Sequence, residues 1–133
     1  MPYLFVAAAA VAVLTITGVY KVLIDKLKLK PENAQKLQTQ FFIGVAVAEV
    51  IPIVLIILGF NQLESVGSVS ELYLPGAIVV ILMLFAVVFM FLQRAVGVNE
   101  ESRTAVTLMT MIGIALVMAI PIISIVGLLL LLP

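Results

Sequence analysis

The stretch QTQFFIGVAVAEVIPIVLIIL, residues 38–58, contains a single ionisable residue, Glu49. About 20 predominantly apolar residues in a helix cross the hydrocarbon core of a bilayer, so this stretch is long enough to span one. It lies within one of four charge-poor runs, residues 1–20, 37–65, 72–93 and 104–133. The whole chain of 133 residues is 65% apolar and 11% charged, with a mean hydropathy of +1.37. A soluble domain carries about 45–50% apolar and about 25% charged residues, so this chain lacks the polar surface to cover itself in water. Membrane-barrel strands are segments of about ten residues that alternate apolar and polar, and the unbroken apolar runs do not alternate. Backbone groups inside lipid must then be satisfied within helices. The expected fold is an all-α integral membrane protein with four transmembrane helices.

The first run has no basic residue before it and Lys21, Lys26, Lys28 and Lys30 after it, the pattern of an uncleaved first helix rather than of a signal peptide. All seven basic residues fall in two connections, residues 21–36 and 94–103. By the positive-inside rule both connections face the cytoplasm, and both termini and the connection carrying Glu64 and Glu71 face outward. The expected location is the inner or plasma membrane of a prokaryote.

Sliding the chain against itself by 69 positions lays FFIGVAVAEVIPIVLIILG, residues 41–59, on TMIGIALVMAIPIISIVGL, residues 110–128, with seven of nineteen positions identical. The identities include Gly44 with Gly113 and Pro52 with Pro121. The same offset lays Pro31 and Glu32 on Glu100 and Glu101, residue types suited to a first helical turn and its dipole. The unit of construction is read as a helical hairpin present twice in parallel, residues 1–64 and 65–133. The small residues of the first span, among them Ala7 to Ala10, Ala12 and Gly18, permit close packing on itself or on the second span.

Glu49 is expected near the middle of the bilayer. A charge there costs about 2.5–3.5 kcal/mol on insertion scales, which makes an intramembrane acid a functional residue by default. A surrounding of low dielectric favours the neutral form of a carboxylic acid, so Glu49 is suited to taking up and releasing a proton. Three residues on, Pro52 has no N–H and leaves the Ala48 carbonyl without its helical donor, a partner within reach of a protonated Glu49. Thr15 and Thr17 of the first span fall at about the same depth and are candidate hydrogen-bond partners, although threonines in such helices also bond their own backbone. In the second repeat the position of Glu49 is taken by Met118, which cannot carry a proton.

Residues 38–58 closely resemble the second helix of the proteolipid, or c, subunit of rotary ATP synthases and ATPases. The resemblance rests on small residues at Gly44, Ala46 and Ala48, the acid Glu49, and Pro52 one turn later. The tandem hairpin with one acid missing is similar to the duplicated proteolipids of vacuolar-type enzymes. This resemblance implies a homo-oligomeric ring in the lipid bilayer, with Glu49 carrying an ion past a stator subunit as the ring turns. Sodium-binding members tend to have a hydroxyl residue directly after the acid. Here it is Val50, which implies protons rather than sodium. Lys26, Lys28, Lys30 and Lys36, with Arg94 and Arg103, would form the loop surface that meets a soluble stalk, or would serve only as positive-inside anchors.

Seven basic residues balance seven acidic ones, leaving no excess charge to attract nucleic acid. Without Cys, His or Trp the chain lacks thiol chemistry, imidazole catalysis and soft metal ligands, so no metal or cofactor is expected. It has no GxxxxGK[ST] phosphate loop, so nucleotide hydrolysis would belong to partner subunits and the chain would have no catalytic site of its own. The leading expectation is a rotor-ring subunit that carries protons. The alternatives are a proteolipid-derived ring serving as scaffold or pore, and a small four-helix proton-coupled exporter.

Overall fold

The structure is a computed structural model that describes residues 2–133, and all its regular segments are helical, with no strand among the described residues. The helices are α1 (Pro2–Leu29), α2 (Ala34–Ala48), α3 (Val50–Asn61), α4 (Tyr73–Ala95) and α5 (Glu100–Leu129). Helices α2 and α3 form one rod interrupted at Glu49. With short 3₁₀ turns at Pro31–Asn33 and Val69–Leu72 included, the four rods are 28, 31, 27 and 30 residues long. At about 1.5 Å per residue the shortest reaches about 40 Å, beyond the roughly 30 Å of a hydrocarbon core. The chain is an integral membrane protein with four spanning helices.

The rods outrun the charge-free runs. Helix α1 continues from Tyr20 to Leu29 because Leu23, Ile24 and Leu27 recur at helical spacing and are buried, while Lys21 pairs with Asp25 one turn on at 3.1 Å. At the other basic connection Asn99 caps α5, its side chain accepting from the Ser102 N–H at 2.9 Å while its own N–H donates to Ser102 Oγ at 3.2 Å. Glu100 and Glu101 occupy the first turn of α5 as the repeat predicts. Pro31 and Glu32 instead form the 3₁₀ turn that leads into α2.

Helix α1 is the hub. Phe5 lies against Gly59 of α3 and Gly127 of α5, and Val19 lies against Gly44 of α2. Near the opposite end, Tyr20 meets Thr110 of α5 and Met90 of α4, and Lys21 donates to Gln93 Oε1 at 2.8 Å. From these contacts α1 and α4 run one way, and α2–α3 and α5 run the other. Apolar helices gain nothing by leaving lipid for one another, so close backbone approach at small residues does the work. Ala8, Ala9 and Ala12 are fully buried on α1, and Gly113 and Gly127 are buried on α5. The small residues of the first span therefore serve α4 and α5 as well as the second span, and one contiguous core draws on both halves of the chain.

Candidate functional site

The rod containing Glu49 spans residues 31–61, and Glu49 stands three residues past its centre, about 4.5 Å along the axis. Its backbone, at φ −82° and ψ −9°, stays right-handed but with ψ relaxed from the ideal helical value, and it separates α2 from α3. The cause lies in Pro52, which is buried in the first turn of α3 and offers no N–H to the Ala48 carbonyl. The ladder resumes around the gap, with the Glu49 N–H on the Val45 carbonyl and the Ile53 N–H on the Glu49 carbonyl, both at 2.9 Å. Pro121 at the repeated position lies inside an unbroken α5, so the interruption belongs to one copy of the motif alone.

The Glu49 side chain is half-buried, and no hydrogen bond or ion pair among the described residues reaches its carboxyl group. On either side of it Val47, Val50, Ile51 and Val54 are exposed, so this rod forms an outer flank of the bundle. The acid therefore stands near the middle of the rod at the edge of its packed face, with Val45, Pro52 and Ile56 buried on one side of it and Ala46 and Ile53 exposed on the other. Met118 is partly buried against the core on α5, which packs more deeply than α2–α3.

Between the Gly59–Phe5 and Gly44–Val19 contacts, Glu49 comes level with Thr15 on α1. The Thr15 hydroxyl is exposed and donates to the Val11 carbonyl at 2.6 Å, the backbone bond open to any helical threonine. Thr17 is 5% exposed, and its Oγ1 is buried without a partner. Ala48, the last residue of α2, is half-buried against the core.

The basic residues divide into two groups at one end of the bundle. Lys26, Lys30 and Lys36 line a cleft beside the first connection, and Arg94 and Arg103 line another beside the second. Lys28 reaches across to the turn at Gly97, whose φ of +70° suits glycine, and Arg94 stacks over the Phe91 ring at 5.5 Å.

A polar clamp at this end escaped the reading of the sequence. Tyr20 Oη lies 2.6 Å from Thr110 Oγ1 and within 3.3 Å of the Met90 carbonyl, joining α1, α4 and α5 in a buried setting. The signal available was a lone Tyr closing the first apolar run, but its partners lie 70 and 90 residues away. Tyr20→Phe is expected to lower stability by about 0.6–1.7 kcal/mol, the range for hydrogen bonds between membrane helices. Unfolding by titration with sodium dodecyl sulfate, followed by circular dichroism, measures it. A variant as stable as the parent would show that the clamp contributes nothing.

Ser124 is fully buried with its hydroxyl unpartnered, at a place where the first repeat has Leu55. Comparison of the chain with family models, with curated proteins and with solved structures finds no match.

Proposed function

We propose that the chain is a proteolipid-type subunit of a rotary ATP synthase or ATPase, which assembles into a membrane ring and carries one proton per chain on Glu49. The observation that carries this reading is a lone carboxyl group near the middle of a spanning rod, half-buried at the edge of its packed face, with no partner among the described residues of its own chain. An acid so placed exchanges its proton with something outside the chain, which a stator subunit passing along the ring would supply. Burial favours the protonated form while the site faces lipid, and a polar or positively charged surface favours release. On this reading the basic connections face the cytoplasm and a soluble stalk, and both termini face outward. The transported ion is the proton, since Val50 provides no hydroxyl beside the acid to help hold sodium.

The chain should leave the membrane as a closed ring of many copies when extracted in mild detergent, a number read by native mass spectrometry. A monomer or dimer would overturn the ring and bring the proton-coupled exporter forward. A ring without rotor function is the second reading, favoured by Met118 standing where a second acid would otherwise be. Substitution at Glu49 separates the two.

A further inference from the structure

Lys26 and Lys30 stand one turn apart at the end of α1, and Lys36 stands near the start of α2. The 3₁₀ turn Pro31–Asn33 folds these two helix ends back on each other, and the three lysines line one cleft of about 340 Å³. That volume is at the small end of ligand sites, which run from about 300 to 1,000 Å³. Asn33 and Gln40 add amide groups able to donate to an oxyanion. None of the three ammonium groups has a carboxylate within 4.0 Å, because Lys21 with Asp25 is the one ion pair among the described residues. Of the two acids beside these lysines in the chain, Asp25 pairs with Lys21 and Glu32 is exposed, and neither lines the cleft. Three like charges around one small volume repel each other until an anion enters it.

The position of the cleft restricts which anion. It opens at the end of the spanning rods, and two leucines share its wall with the lysines. Leu37 is buried, whereas Leu29 is 83% exposed directly beside the charges. An apolar side chain so exposed next to a basic cluster matches a ligand with a phosphate at one end and hydrocarbon at the other.

We infer that the cleft formed by Lys26, Lys30 and Lys36 binds a phosphate ester, with the headgroup of an anionic glycerophospholipid as its occupant in the membrane. Diffuse attraction between basic loops and an anionic leaflet depends on how many charges are present. A built site depends on which ones. The site does not involve Glu49.

The test is native mass spectrometry of the full chain from mixed micelles of phosphatidylglycerol and phosphatidylcholine. One phosphatidylglycerol should remain per chain. Lys26→Gln, Lys30→Gln and Lys36→Gln together should weaken its retention about 100-fold, through the loss of charge-assisted contacts to one phosphate from three positions of the cleft wall. The charge-matched variant Lys28→Gln, Arg94→Gln and Arg103→Gln should stay within about fivefold of the parent, since those residues lie outside the cleft. Circular dichroism of both variants establishes that each is folded. Displacement of the lipid by glycerol 3-phosphate at equal concentration would support the phosphate-ester site with a soluble occupant. Equal losses in the two triple variants, or no preference for phosphatidylglycerol over phosphatidylcholine, would overturn it.

Discussion

Glu49→Gln is expected to reduce proton flux to background in membrane vesicles from cells that carry the variant as their sole copy. Glutamine keeps the size and hydrogen-bonding shape of the acid and removes its titratable proton. Among the ionisable residues of the chain, Glu49 alone stands deep within a spanning rod, so no second group on the chain can take over. Glu49→Asp, shorter by one methylene, should retain part of the flux. Adding Met118→Glu to the Gln variant should not restore it, because α5 packs more deeply in the bundle than α2–α3 and gives residue 118 less access to a partner outside the chain. The copy number of each variant, measured in the same preparation, separates a silent ring from a failed assembly. Infrared spectra of the purified chain give an independent readout, since the Gln variant should lack a protonated-carboxyl band present in the parent. Parental flux in the Gln variant would overturn both proton-carrying readings and leave the scaffold.

What the sequence made legible follows from how little the bilayer tolerates. A run of apolar residues in lipid must be helical, so four runs meant four spanning helices before any contact was known. Glu49 was visible for the same reason, a charge where charges are costly, and so was Pro52, whose missing N–H leaves the Ala48 carbonyl without its helical donor. The helix ends were less legible, because α1 runs on through Lys21 to Leu29 on the strength of one buried face and one ion pair rather than of composition. The arrangement of the rods was not legible. Duplication suggests that the two copies of the motif should stand alike, yet the copy with Glu49 is interrupted on a more exposed rod, while the copy with Met118 stays continuous on a more deeply packed one, the two side chains themselves being equally half-buried. That asymmetry depends on contacts such as Tyr20 with Thr110, which no local pattern encodes.

The second large effect is structural and arises where α1, α3 and α5 come closest. Phe5 is fully buried, packs edge-on to Phe60 with ring centroids 5.4 Å apart, and has a glycine on each of two neighbouring helices. A Cβ added at Gly59 would stand 2.8 Å from Phe5 Cε1 and Cζ, and one added at Gly127 would stand 2.6 Å from Cδ1 and Cζ. Either contact is far inside van der Waals range. Both contacts fall on the same edge of the ring, Cδ1, Cε1 and Cζ, which reaches between the two glycines. Overpacking a well-filled site costs about 1–3 kcal/mol, so Gly127→Ala should lower stability to unfolding in sodium dodecyl sulfate by an amount in that range. Gly18 and Gly76 are the internal controls, because a Cβ at either meets nothing within 4 Å. Alanine there should be neutral or should add about 0.5–1 kcal/mol, the ordinary gain in helix propensity over glycine. Shortening the ring with Phe5→Leu in the Gly127→Ala background should recover part of the loss, since the two changes share one volume and cannot be additive. If Gly127→Ala proves as stable as Gly76→Ala, the ring is free to move, and close approach at Phe5 is not what holds α1 to α5.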